Sequence, residues 1–328
     1  MSSLPHTQTD QAATGPDPQG PRDLQATPAE ELALLRAELD HLDDVLHDTL
    51  RSRAAIVTRI GASAAKGTLK LRMGRQAEIL RRILARHDGA YPPASVVRVW
   101  LELLSGTIAM QAPFSVAVGQ AEGDAALSAT AREQFGALAR LRAWGSVGQA
   151  IGEVRAGTAS VAVLPLPHEG EAMSAAWWTG LLNRNGPNRD GPNRDTPGAV
   201  PRLHIVARLP IWSPRPEGAP AAQALVVAGV PPDPSGADRT LLGLELAPEG
   251  SRTRLLAALP AAGLTPGRVL LRRDPGTARA LVEVEGFVTE GDPRLSAASL
   301  QALGDSRHGP VVLGAYAIPL GANPASPR

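Results

Sequence analysis

The chain has 328 residues, with 33 basic and 32 acidic side chains and a formal net charge of +1. It is therefore long enough for two or three hydrophobic cores and lacks the charge excess that a nucleic-acid partner would require. The absence of cysteine excludes disulfides, thiolate metal sites and cysteine nucleophiles together. No apolar run approaches the ~20 residues of a membrane helix, and residues 1–25 have neither a basic start nor an apolar stretch. No membrane association and a cytoplasmic location are expected.

Residues 1–26 are rich in Pro, Gln, Thr, Ser and Gly without an apolar period, which predicts a disordered tail. Order is expected from Thr27, Pro28 and Glu30, which fit a helix N-cap, its first position and the reciprocal acid of a capping box. Leu32, Leu35, Leu39, Leu42, Leu46, Leu50, Val57 and Ile60 then recur at steps compatible with one long amphipathic helix, ending near residues 61–67. A second helix is predicted over about 72–87, with Ala77, Leu80 and Leu84 on one face and Gly89 as its stop. A third follows Pro92 and Pro93 through Val96, Val97, Trp100, Leu103, Leu104 and Ile108 until Pro113 forbids continuation. A first helix of ~45 Å cannot bury its stripe against two shorter ones, so residues 27–112 are expected to form an intertwined three-helix unit in a homodimer.

After Pro113 the period changes. Short strands are predicted at 114–118, 160–166, 203–209 and 224–228, with helices at about 124–136 and 146–157 between the first two. This makes 113–235 an α/β region. Its tandem Gly-Pro-Asn-Arg-Asp repeats at 186–190 and 191–195 predict a flexible surface loop at 183–198. Residues 231–236, Pro-Pro-Asp-Pro-Ser-Gly, mark the next boundary. From there, 236–328 read as strand, helix, strand, strand, helix, strand, a ferredoxin-like βαββαβ order. The expected class is α followed by α/β.

The residues with chemical potential in the helical segment are Arg36 and Arg53 on the first helix, Arg75 and Gln76 opening the second, and Thr107 and Gln111 at i,i+4 on the third. Taken singly, each is what an ordinary solvated helix face carries. Arg36 and Arg53 stand about 25 Å apart along one helix, so they can serve one small ligand only across two chains. Lys66 and Lys70 are the only lysines in a chain that otherwise uses arginine. Their stretch is therefore a candidate for an ammonium with a specific task.

The pieces Leu35-Arg36-x-x-Leu39-Asp40-x-Leu42-Asp43, Arg53, Gly74-Arg75-Gln76-x-Glu78-Ile79-Leu80 and Thr107-x-x-x-Gln111 stand in order over 28–112. This pattern resembles the all-helical chorismate mutase family. The resemblance implies isomerisation of chorismate to prephenate with no metal or cofactor. It implies that Arg36 of one subunit and Arg53 of the other grip the substrate carboxylates. Arg75 would support them, Thr107 would bond a carboxylate, and Gln111 would contact the ether oxygen. The segment is expected to dimerise and act without the rest of the chain. Three positions depart from the family: its lysine falls at Ala64, with Lys66 two residues on as the substitute, its acidic residue aligns with Arg72, and its glutamate is Gln76. The alternatives are an isochorismate pyruvate-lyase on the same helical fold, or a regulatory or partner-binding protein whose site has decayed.

The remainder resembles a shortened prephenate dehydratase joined to an ACT-type regulatory domain. Residues 161–166 with Glu169 and Gly170 match the end of the dehydratase's first lobe. Its Thr-Arg-Phe signature falls on Gln223-Ala224-Leu225, so dehydratase activity is not expected. Residues 281–287 and 313–316 look like ACT strands, and Gly250 with Arg272-Arg273-Asp274-Pro275 marks where such a domain takes an aromatic amino-acid effector. Retention of this domain for dimerisation alone explains the same residues equally well. His168, His204 and His308 are isolated and read as structural or exposed.

Overall fold

The computed structural model describes residues 27–62, 71–120, 125–182, 202–213, 215–220, 222–303 and 309–321. The expected tail 1–26, the loop 183–198, and Ala64, Lys66, Lys70 and His308 lie outside them. The chain divides into two compact units, one up to Ile56 and one from Val57 onward.

The first unit is the greater part of helix α1 (Pro28–Ala62, 35 residues), about 52 Å long at the usual rise. Its start is the expected capping box. The Glu30 amide donates to Thr27 Oγ1 (3.3 Å), and the Thr27 amide donates back to Glu30 Oε2 (2.7 Å). These bonds favour the carboxylate and hold the Glu30 pKa below its ordinary value. The leucine stripe is exposed: Leu35, Leu39, Leu42 and Leu46 each keep more than half of their surface open, at 52, 62, 54 and 57%.

The second unit begins with the last turn of α1, then α2 (Met73–Leu84) and α3 (Pro93–Gln111). Helix α2 stops about a turn before the Gly89 expected to end it. His87 Nε2 instead lies 2.5 Å from the Tyr91 carbonyl in the connection. Ala77 and Leu80 of α2 share a core cluster with Val97 and Leu101 of α3. Leu71 and Met73, at the start of α2, share another with Ile108 near the end of α3. The two helices therefore run antiparallel, and the first turn of α2 meets the last turns of α3.

The rest is built on one nine-stranded sheet of order β2-β1-β3-β5-β4-β9-β6-β8-β7. Its first part contains β1 (Ser115–Gly119), α4 (Ala126–Phe135), β2 (Arg140–Trp144), α5 (Val147–Arg155), β3 (Val161–Pro165), β4 (His204–Leu209) and β5 (Ala224–Ala228). Strand alternation sorts its two faces. Val116, Val118, Val161 and Val163 pack with Leu127, Ala131 and Phe135 of α4. Ala117, Ala162 and Leu164 pack with Ala150, Ile151 and Val154 of α5. Strand β2 was not expected. It forms the parallel edge beside β1, with Arg140 and Arg142 exposed, so it lacks the apolar run that betrays the inner strands. A 3-10 turn at Trp177–Leu181, also unexpected, buries both tryptophans.

The last part is β6 (Asp238–Leu246), α6 (Arg252–Ala261), β7 (Pro266–Asp274), β8 (Thr277–Glu285), α7 (Ala298–Gln301) and β9 (Val311–Ala317). The chain order is the one expected for 236–328. Both helices pack on one face, where Leu255, Leu259 and Leu300 meet Leu242, Leu244, Ala280 and Val282. Strand β9 pairs with β6 and touches β4 at Ile205–Gly314. A Cβ at Gly314, whose φ is +148°, would lie 2.0 Å from the Ile205 carbonyl oxygen, so only glycine allows this junction. Among the described residues no helix is long and apolar enough to cross a membrane.

Candidate functional site

The sequence-derived candidates fall on three helices. Arg36 and Arg53 lie on the part of α1 assigned to the first unit, where Arg36 is exposed and Arg53 half-buried. They stand about 25 Å apart along the helix at the usual rise. Lys66 lies outside the described residues.

The second unit brings the other four toward one end of the α2–α3 pair. Arg75 and Gln76 occupy the first turn of α2, and Thr107 and Gln111 lie one turn apart at the end of α3. Arg75 is exposed and donates to Glu78 Oε2 at 2.8 Å, an i,i+3 pair on the helix surface. Thr107 Oγ1 donates to the Leu103 carbonyl at 2.8 Å. Gln111 is half-buried against the last turn of α1, its Cγ 3.8 Å from where a Gly61 Cβ would be.

Gln76 is placed differently from its exposed neighbour. Its side chain is 7% exposed, and its Oε1 accepts from Gln134 Nε2 of α4 at 3.3 Å. Helix α4 also meets α3. Arg98 donates to the Glu133 carbonyl (3.1 Å), and Ser105 Oγ donates to the Phe135 carbonyl. The end of the helical segment that carries the candidates is thus built against the α/β region.

The sequence reading missed the anchor of α2. Arg72, at the N-cap position, supplies no side-chain cap, and the first turn contains no acid. The carboxylate comes from Asp233, in the Pro-rich turn read only as a boundary. Asp233 Oδ1 accepts from the Gly74 amide (2.9 Å), and Oδ2 accepts from the Arg75 amide (3.0 Å) and Arg72 Nε (2.9 Å). Two turns along, Arg81 donates to the Ser235 carbonyl (2.5 Å), Ser235 Oγ (3.1 Å) and the Ala237 carbonyl (2.9 Å). Burial disfavours the Arg81 charge and lowers its pKa, against the opposing pull of Asp238 and Glu78. The lone visible hint was an aspartate flanked by prolines, a common cap and turn former.

A second polar group, Arg208, Glu283 and Tyr316, lines a small cleft together with Leu166, Leu225, Leu241 and Leu270, among others. Tyr316 Oη donates to Glu283, which also pairs with Arg239 (3.2 Å) and Arg208 (3.7 Å). Burial, with the Glu283 charge beside it, pushes the Tyr316 phenol well above its ordinary pKa. Elsewhere in this part, Arg273 donates to the Pro248 and Gly250 carbonyls at 2.8 and 2.9 Å, joining the two effector elements that the sequence suggested. Asp274 meanwhile pairs with Arg272 and Arg279. His168 is exposed, and its Nδ1 lies 3.0 Å from the Glu169 carbonyl; His204 is buried on β4.

Residues 35–112 match the family model of chorismate mutase type II. The chain is 30% identical over 93 residues to the bifunctional chorismate mutase/prephenate dehydratase of Aquifex aeolicus (strain VF5), covering 27% of this chain and 26% of that protein. It is 26% identical over 149 residues to the enzyme of the same description from Stutzerimonas stutzeri, covering 44% and 40%. The chain thus spans between a quarter and two fifths of the length of these curated relatives. Among solved structures, prephenate dehydratase from Arthrobacter aurescens in complex with L-Phe aligns at 16% identity and TM-score 0.42, covering 65% of this chain and 93% of that one. Residues 35–112 are therefore similar to chorismate mutase type II, and the chain is similar over part of its length to bifunctional chorismate mutase/prephenate dehydratases.

Proposed function

We propose that this chain is a chorismate mutase, converting chorismate to prephenate by a cofactor-free rearrangement. The observation that carries the reading is the helical segment itself. The family match covers Arg75, Thr107 and Gln111, and the packing of α2 on α3 supports their serving one site.

Chorismate is a dianion, and in the rearrangement the ether bond breaks as a carbon–carbon bond forms within the same molecule. Such a reaction needs no base or nucleophile. It needs the compact conformer held and donors placed where charge grows on the ether oxygen. Guanidinium groups suit the two carboxylates because they bond in a bidentate fashion. In this reading Arg36 and Arg53 grip the carboxylates, Arg75 supports them, Thr107 bonds one, and Gln111 with Lys66 serves the ether oxygen. The exposed leucine stripe of α1 supports a homodimer in which Arg36 of one copy works with Arg53 of the other. The βαββαβ order with strands arranged β9-β6-β8-β7 supports an ACT-type regulatory domain, and the Arg273–Gly250 contact supports an aromatic amino-acid effector near α6. Dehydratase activity is not part of this reading, because Gln223-Ala224-Leu225 offers no catalytic hydroxyl or arginine.

One observation favours a second reading. Gln76 is buried and engaged by Gln134, and so is not presented to solvent. A chain that has lost turnover and acts as a regulatory or partner-binding protein would tolerate this. Loss of chorismate absorbance on addition of purified full-length protein, with isochorismate run in parallel, separates the readings. Prephenate formation supports the mutase, pyruvate release from isochorismate supports the lyase, and neither supports the binding protein.

A further inference from the structure

Helix α2 cannot cap itself. Its first amides have no partner inside the helix, and Arg72 and Arg75 bring two positive charges to the end that already carries the positive pole of the helix dipole. Asp233 answers both problems. Its two oxygens accept from the Gly74 and Arg75 amides and from Arg72, and its side chain is only 13% exposed. The turn can come this close only because position 74 is glycine: a Cβ there would stand 2.1 Å from the Asp233 carbonyl oxygen. The same turn holds α2 again through Arg81, and Asp238 fixes the turn by accepting from the Ser235 amide and hydroxyl. The axial position and rotation of α2 are thereby set from outside the helical segment.

We propose that Asp233 is a positioning residue for the mutase reaction. By accepting from the Gly74 and Arg75 amides, it fixes the first turn of α2 and with it Arg75, which the proposed function assigns to the carboxylate cluster. The α/β half is then a working part of the mutase site, and, against the expectation from sequence that 28–112 acts without the rest of the chain, that segment alone lacks an element that it needs. This deepens the reading of the chain as a chorismate mutase and rests on it. The physical reason is that an error of about 1 Å in a positioning group costs on the order of a hundredfold in rate.

The test uses the full chain with Asp233→Ala, Asp233→Asn and, as a control, Ser251→Ala. Ser251 caps α6, accepting from the Arg254 amide at 3.3 Å, in a part of the fold with no assigned role in turnover. Hydrogen exchange should show faster amides at 74 and 75 in Asp233→Ala. Chorismate kinetics, taken where all variants are folded, should show at least a tenfold loss in kcat/KM for Asp233→Ala with KM raised. Asp233→Asn should recover only part of it, since its single amide oxygen can still cap one backbone amide while its NH2 group, a donor, faces the other. Ser251→Ala should match the parent. General destabilisation lowers the active fraction without raising KM, so the KM shift and the Asn rescue mark positioning. An active parent with parental KM and kcat in Asp233→Ala sinks the positioning role alone. Unchanged exchange at 74 and 75 sinks the cap. A parent inert toward chorismate sinks the functional reading, and the positioning role with it.

Discussion

Substituting Gly74 by alanine sets two effects of known sign against each other. In an unobstructed helix, glycine to alanine stabilises by up to about 1 kcal/mol. At position 74 the new Cβ would lie 2.1 Å from the Asp233 carbonyl oxygen and 2.7 Å from that of Pro234, both backbone atoms that cannot rotate away. The turn must retreat, which costs about 1–3 kcal/mol as overpacking. Its retreat also weakens the Asp233 cap, about 1 kcal/mol more. The Arg72–Asp233 ion pair, whose guanidinium side is largely in solvent, adds little. The net expectation is a loss of about 1–3 kcal/mol, a fall in Tm of roughly 2–10 °C for a unit of this size. Gly152→Ala in α5, where nothing lies within 4 Å of the added Cβ, is the matched control and should be neutral or stabilised by up to about 1 kcal/mol. Urea unfolding followed by circular dichroism, with a common slope, measures both. A Gly74→Ala protein as stable as the parent would refute the close packing of the turn on α2.

Other outcomes follow from the same structure. In the proposed homodimer, which would bury the stripe that α1 exposes, Leu39→Asp should raise the dissociation constant by more than a hundredfold, at about 1.5–3 kcal/mol per leucine lost from each copy; sedimentation that shows an unchanged dimer, or a monomeric parent, counts against the dimer. Lys66→Ala should lower kcat about a hundredfold, in line with loss of one preorganised donor, whereas Lys70→Ala should stay near the parent; equal rates for all three proteins would leave the ether oxygen to Gln111 and the arginines. Purified protein given prephenate at neutral pH should form phenylpyruvate no faster than the spontaneous reaction, measured by its absorbance in alkali. In a Tyr91→Phe background the phenolate band at 295 nm should not appear until the protein unfolds. The native Tyr316 pKa lies above the unfolded value of about 10, so the stability this phenol contributes is complete below that pH and is lost as pH rises beyond it; a reversible phenolate step near pH 10 in the folded protein would contradict its burial.

What the sequence disclosed, and what it withheld, has a common physical origin. The capping box of Thr27 and Glu30 and the inner strands were legible because their signals are local: a four-residue pattern, or a short apolar run bounded by turns. Strand β2 escaped because an edge strand with Arg140 and Arg142 in solvent needs no apolar run. The union of the two α/β parts in one sheet escaped because it depends on Gly314 meeting Ile205, more than a hundred residues apart in the chain. The candidate site divides in the same way. Arg75, Thr107 and Gln111 could be chosen from spacing on their own helices. Asp233 and Gln134 could not, because the bonds that bring them to α2 cross 159 and 58 residues of sequence, and no pattern on α2 announces that its cap lies elsewhere.

The most direct measurement is turnover of chorismate by the purified full-length chain without added metal or cofactor, followed by its ultraviolet absorbance and by identification of the product. The expected result is saturable conversion to prephenate, abolished or strongly reduced in Arg53→Ala through both substrate binding and turnover, because a carboxylate clamp acts before and during the reaction. Chorismate that decays only at the spontaneous rate, or an Arg53→Ala protein as active as its parent, would contradict it.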